Sequence, residues 1–139
     1  MKTTDDRDQT VRRVLEGRVD VRLAYLFGSV ARGDARAASD LDVGVVFSPL
    51  PAPVQLDQLV TDLEAAAGCR VDLVVLNNAA PLLTHEAIRA GRVMVCRDED
   101  ERVEFETRAT ARYLDTAQLR RVQHQYLRER AEARRAHPA

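Results

Sequence analysis

The sequence predicts an α/β (α+β) domain, a small mixed sheet of about four strands with flanking helices and a C-terminal helical region. Three observations carry this. The apolar residues switch repeatedly between the helical period and strict alternation, in the order αβ, βα, βα, β, α. The strand-like runs are short and bounded by Gly or Pro. And 139 residues at 15.6 kDa, 45% of them hydrophobic, make one domain's worth of chain with enough apolar side chain for a core.

Val11, Val14, Leu15 and Val19 recur at i, i+3, i+4 and i+8, which predicts a first helix after a charged, fraying start. Val21, Leu23, Tyr25 and Phe27 alternate with Arg22, Ala24 and Leu26, a strand that ends at Gly28. Leu41, Val43, Val45 and Phe47 alternate around Asp40, Asp42, Gly44 and Val46, and the Pro-rich stretch Pro49 to Pro53 stops this second strand. Leu56, Leu59, Val60 and Leu63 return to the helical period, with Gly68 placed for a left-handed cap. Arg70 to Leu76 is a third strand. Pro81 suits a first helical position, Gly91 closes that helix, and Val93 to Cys96 forms a fourth, edge-like strand. Asp98 and Glu101 resemble a capping box at the start of a long helical region. There Phe105, Ala109 and Tyr113 form one stripe and Leu119, Val122 and Tyr126 a second, with a break near Asp115 and Thr116. Both stripes are expected to cap the sheet, and Arg128 to Ala139 to form a solvated helix end.

Composition narrows the function. A formal charge of -1, from 21 basic and 22 acidic residues, excludes a global basic field for nucleic acid. Apolar runs such as Leu73 to Leu76 fall far short of the roughly 20 residues that span a bilayer. The polar start Met1 to Thr10 has no signal-peptide core, so the expected location is the cytoplasm. Cys69 and Cys96 have neither metal-ligand spacing nor disulfide density and read as reduced packing residues.

The informative stretch runs from Leu26 to Asp42. A strand ending in Gly28-Ser29 and turning into a helix presents free backbone N–H groups, and the glycine permits close approach of a phosphate. The Ser29 hydroxyl adds a donor. Arg32, one turn on, either reaches the same anion or pairs with Asp34. Asp40 and Asp42, two apart on a strand, project from one face at about 7 Å along the backbone, while Leu41 and Val43 point into the core. Such a pair is either a solvated strand edge or an oxygen-only site for Mg²⁺ or Mn²⁺. Asp72 interrupts the apolar run Val71 to Leu76, where a charge is costly unless paired or metal-linked. It shares a face with Asp40 and Asp42 if the two strands are adjacent.

The pattern Gly-Ser-x-x-Arg-Gly, then Ser-Asp-x-Asp, then a later strand Asp resembles the DNA polymerase β-type nucleotidyltransferase superfamily. Gly28, Ser29, Arg32, Gly33, Ser39, Asp40, Asp42 and Asp72 match it position by position. The small size, with Pro81 to Ile88, Gly91 to Cys96, Phe105-Glu106 and Tyr113 to Asp115, resembles the minimal nucleotidyltransferase antitoxins paired with HEPN ribonuclease toxins. The likeness covers roughly residues 10 to 127. It implies the polymerase β-like nucleotidyltransferase fold in a single minimal domain over 1–139, with a catalytic core at 10–97 and C-terminal helices at 98–136 as a partner-docking surface. It implies a type VII-like antitoxin, a protein adenylyltransferase that moves AMP from ATP to a tyrosine hydroxyl of its cognate HEPN toxin. Pyrophosphate is released and the toxin neutralised within a hetero-oligomeric complex, without direct contact to nucleic acid or membrane.

In that scheme Gly28 and Ser29 hold the β- and γ-phosphates, with Arg32 and Ser39 also in the nucleotide site. Asp40 and Asp42 bind one or two Mg²⁺ (or Mn²⁺) ions on the triphosphate, and Asp72 binds the metal nearest the attacking hydroxyl and helps deprotonate it. Arg32 is equally open to a structural role. Two alternatives stand beside this reading: an antibiotic-type small-molecule nucleotidyltransferase, whose second domain this chain has no room for, and a non-catalytic antitoxin acting by occlusion through Glu101 to Leu127. His85 sits either over the site or on the surface; Tyr113 and Tyr126 serve either partner docking or the core.

Overall fold

The computed structural model describes residues 4–27 and 41–136. In chain order it contains α1 (Thr4–Glu16), β1 (Val21–Phe27), β2 (Leu41–Phe47), α2 (Pro53–Ala67), β3 (Val71–Val75), a 3-10 turn (Leu76–Asn78), α3 (Pro81–Ala90), β4 (Arg92–Cys96), α4 (Glu99–Asp115) and α5 (Ala117–Ala136). The strands form one mixed sheet in the order β3-β2-β1-β4. β1 runs antiparallel to both β2 and β4, and β2 runs parallel to β3. A parallel pair needs a crossover, and α2 supplies it.

Ala24, Leu26, Leu41, Val43 and Val45 pack on one face against Val11 and Leu15 of α1 and Leu59 and Leu63 of α2. Leu23, Tyr25 and Phe27 pack on the other against Leu76, Ala79 and Ala87, with Phe105 of α4 beside them. Because helices cover both faces, β1 is buried on both, so Ala24 and Leu26 lie inside along with the alternating set.

Polar side chains fix the ends. Asn77 continues the parallel ladder past β3, accepting from Phe47 N at 2.9 Å and donating to Phe47 O at 2.8 Å. Arg97 donates to the carbonyls of Glu16, Arg18 and Val21 at 2.8, 3.0 and 3.0 Å, satisfying backbone acceptors at the end of α1. Gly68 takes the left-handed conformation, φ 72°, and its N–H donates to Glu64 O.

Four expectations need correction. α1 stops at Glu16, and Val19 beyond it is 90% exposed, outside the stripe it was assigned to. The α4 start is half a capping box: Asp98 accepts from Asp100 N, but Glu101 is held by Arg22 at 2.6 Å instead of turning back. Cys69 packs on the core, whereas Cys96 is exposed and its Sγ donates to Glu99 Oε2. The α4 stripe caps the sheet as expected, with Ala109 buried and Phe105 packed against the core, but the α5 stripe does not: Leu119, Val122 and Tyr126 are 57%, 56% and 57% exposed. The break between α4 and α5 turns the second helix away from the sheet. No helix among the described residues is long and apolar enough to cross a membrane.

Candidate active site

Asp42 is the second residue of β2 and Asp72 the second of β3, and the parallel register pairs them directly. Paired residues on neighbouring strands point to the same face, about 4.8 Å apart in the pairing direction. On the other side Asp42 is paired with Phe27, the last residue of β1. Three strand ends therefore meet here, and the chain leaves β1 and enters β2 at this end of the sheet. Asp42 is half-buried, and Asp72 is exposed on the edge strand. This corrects the burial argument for Asp72: at the open start of β3 its charge is solvated, so desolvation does not demand a partner.

The carboxylates share the sheet face that α3 and α4 cover farther along. Gly44 lies one pleat beyond Asp42, where a Cβ would come within 2.9 Å of Leu76 Cδ1 and 3.1 Å of Leu76 Cγ. Its bareness lets Leu76, 1% exposed, fold down behind the acidic pair. Gly44→Ala is expected to cost about 1–3 kcal/mol of stability by overpacking, read from urea unfolding; an unchanged midpoint would show that Leu76 yields without strain.

Behind the site, Tyr25 Oη donates to Glu106 Oε1 at 2.7 Å, and Arg102 Nη1 donates to both Glu106 oxygens at 3.2 and 3.3 Å. Arg102 also pairs with Glu99. This chain bolts α4 to β1, 81 residues away in sequence, and no spacing in the sequence announced it. Burial first, then the bond to Glu106, pushes the Tyr25 hydroxyl well above its ordinary 10.0. The folded state thus keeps a proton that the unfolded chain loses above pH 10.0, so this stabilisation is complete below that pH and declines as pH rises past it. Tyr25→Phe should lower stability by about 1 kcal/mol at neutral pH and flatten the alkaline decline. Melting curves at neutral pH and near about pH 11 check both effects; identical slopes for the two proteins would contradict them.

Of the predicted site residues, the structure brings Asp42 and Asp72 together; Gly28, Ser29, Arg32, Gly33, Ser39 and Asp40 lie outside the described residues. Among the described residues no group of three His, Cys, Asp or Glu is placed to hold a metal. The donor set of the pair, carboxylate oxygens only, fits a hard divalent cation such as Mg²⁺ or Mn²⁺ and not a soft one. A cleft of about 320 Å³ between Val46, Leu76, Thr84, Phe105 and Arg108 opens at the far end of the same face and includes neither aspartate. His85 stacks on Tyr113, ring centroids 3.7 Å apart and 7° from parallel, and the Arg120 guanidinium covers the ring at 4.0 Å. These two aromatics join α3, α4 and the start of α5.

The family described as polymerase beta, nucleotidyltransferase matches residues 9–100, a span that contains both aspartates. A protein adenylyltransferase, MntA, of Thermococcus cleftensis is 41% identical over 64 residues, 46% of this chain; the match spans 65% of that relative's length. Two solved structures share the fold. One is a toxin–antitoxin crystal structure with AMP-PNP, at 22% identity and TM-score 0.74 over 86% of this chain and 98% of its own. The other is an MNT antitoxin in complex with the tri-AMPylated HEPN toxin of Shewanella oneidensis, at 20% identity and TM-score 0.72 over 90% and 99%.

Proposed function

We propose, from the premise that this chain belongs to the polymerase beta nucleotidyltransferase family, that it is a cytoplasmic protein adenylyltransferase and antitoxin. It moves AMP from ATP to a tyrosine hydroxyl of a cognate HEPN toxin and so neutralises the toxin within a complex. The observation that carries this is the Asp42–Asp72 cross-strand pair at the open end of the sheet, inside the family match. The relatives named as protein adenylyltransferase and as MNT antitoxin support the choice of a protein acceptor.

In this reading Asp40, Asp42 and Asp72 hold one or two Mg²⁺ or Mn²⁺ ions, whose chemistry when bound is neutralisation of triphosphate charge. Gly28 and Ser29 bind the β- and γ-phosphates through backbone and hydroxyl donors, and Arg32 and Ser39 also serve the nucleotide. Asp72, on the exposed edge strand, stands where a side chain of another protein can approach. It orients the tyrosine hydroxyl and takes up its proton. A bond forms between that oxygen and the α-phosphorus, and the bond from the α-phosphorus to the bridging oxygen breaks. Pyrophosphate leaves with the electron pair. Positioning for in-line attack does most of the work in such a displacement.

The test is intact-mass measurement of the HEPN protein after incubation with this chain, ATP and Mg²⁺. The expected result is a gain of one or more AMP masses, absent with the Asp42→Ala, Asp72→Ala variant. No gain while a stable complex forms would leave occlusion as the mechanism.

A further inference from the structure

β3 is an edge of the sheet: β2 pairs with one side of it, and no described strand pairs with the other. Hydrogen bonds at its start show which backbone groups are left over. Arg70 O accepts from Leu41 N at 2.9 Å, so Arg70 points its backbone toward β2. Successive residues of a strand turn their N–H and C=O groups to opposite sides, so Asp72 and Val74 also face β2, whereas Val71, Leu73 and Val75 face outward. Val71 N donates to Glu64 Oε2 of α2 at 3.1 Å, which covers the first outward donor. The N–H and C=O of Leu73 and the N–H of Val75 have no partner among the described residues. Edges are ordinarily blunted by bulges or by covering elements. Both strand pairs made by β1 carry register shifts, but the β2–β3 pair carries none, so this edge is a regular template.

The side chains along the edge divide by face. Leu73 and Val75 pack into the core beneath the sheet, and Val74 packs on the other face, which Asp72 shares. Asp72 itself is exposed. An antiparallel strand is the more stable addition to such an edge, and its residue opposite Leu73 would exchange both hydrogen bonds with Leu73. The residue opposite Asp72 would then occupy the closer, non-hydrogen-bonded kind of pair, with about 4.5 Å between Cα atoms. A tyrosine there points to the same face as Asp72 and carries its hydroxyl over the acidic pair. Two residues earlier in the added strand, a side chain on the same face meets Val74.

We infer that the outer edge of β3 seats the acceptor segment of the protein substrate as an added antiparallel strand, with the target tyrosine opposite Asp72. This rests on the adenylyltransferase reading and deepens it, because the strand that holds the acceptor also carries Asp72. In such an addition main-chain hydrogen bonds supply affinity and alternate side chains supply specificity. The acceptor is therefore an extended segment with an apolar residue two places before the tyrosine. The residue immediately before the tyrosine is not proline, since its N–H must reach Leu73 O. A second copy of this chain fits the edge less well. Its β3 holds no tyrosine, and it would set Asp72 and Glu64 of both copies along one seam, where like charges across strands destabilise.

The experiment has two parts. Amide hydrogen exchange is followed in the full chain alone and in complex with the HEPN toxin protein. Initial rates of toxin modification with ATP and Mg²⁺ are measured for the unmodified chain, Leu73→Pro and Leu73→Ala. Both variants lose the leucine side chain, but only the first loses the N–H, and proline is tolerated on an edge strand where that N–H faces solvent. Exchange at the Leu73 and Val75 amides should slow at least about tenfold in the complex, while the Val71 amide, already held by Glu64, changes little. KM for the toxin should be about tenfold higher for Leu73→Pro than for Leu73→Ala, as expected for a lost main-chain hydrogen bond. Should Leu73→Pro fail to fold, exchange in the unmodified proteins decides by itself. Unslowed exchange at Leu73, with the unmodified chain still modifying the toxin, would overturn the inference and leave the proposed function intact. Slowed exchange without any AMP transfer by the unmodified chain would overturn the catalytic reading and, with it, the assignment of the added strand as the acceptor. Slow exchange at Leu73 without toxin, in a chain that sediments as a dimer, would give the edge to a second copy and overturn the inference.

Discussion

Asp72→Asn is expected to cut AMP transfer by about a thousandfold, equivalent to roughly 4 kcal/mol of transition-state stabilisation, while the protein melts as before. The substitution keeps shape and volume and removes charge and basicity. Asp72 is exposed at the start of an edge strand, so it packs against little that folding depends on. Its neighbour in register, Asp42, then stands without the second carboxylate, and an oxygen-only cation site that loses one anionic ligand loses affinity and charge neutralisation together. Initial rates of toxin modification and a thermal melt on the same preparation separate the outcomes. A large fall in melting temperature would mark Asp72 as a structural residue, and near-normal rates would remove it from the site.

Gly91→Ala should destabilise the fold by about 3 kcal/mol, at the upper end of ordinary overpacking. A Cβ at this position would lie 2.1 Å from Ala87 O and 3.3 Å from Leu26 O. Both obstacles are backbone, so no rotamer change relieves them; the turn from α3 into β4 must open, and β4 must shift against β1. Gly68→Ala is the control. Its φ of +72° disfavours a side chain, but nothing lies within 4 Å of the added carbon, so its cost is that of the left-handed backbone alone, about 1–2 kcal/mol. Urea unfolding of both variants measures the difference. Equal losses would mean that sterics at the α3–β4 turn are not what requires glycine there.

The elements were legible because their signals are local. Pro81 at the first turn of α3, Gly68 at the end of α2, and the alternation of Val21 to Phe27 each act within a few residues of where they sit. The adjacency of Asp42 and Asp72 was legible only conditionally: the two share a face if their strands are neighbours, and the parallel register of β2 and β3 supplies that condition. The rest depends on contacts between distant parts of the chain. Tyr25 and Glu106 meet across 81 residues, and nothing in the spacing of either residue encodes the other. The α5 stripe shows the limit of periodicity most clearly. Leu119, Val122 and Tyr126 were correctly read as one face of a helix, but a helical period says which residues share a face and not what covers it. Here the turn at Thr116 and the Arg120–Tyr113 contact aim that face outward.

In the proposed reaction the end of the sheet bearing Asp42 and Asp72 transfers a nucleotidyl group to a protein. Its most direct measurement follows label from ATP into the HEPN toxin, with ATP labelled at the α-phosphate in one reaction and at the γ-phosphate in another, using the unmodified chain and Asp42→Asn. Toxin labelled only from the α-phosphate, and only by the unmodified chain, is the predicted result. Label arriving from the γ-phosphate, or equal labelling by Asp42→Asn, would contradict it.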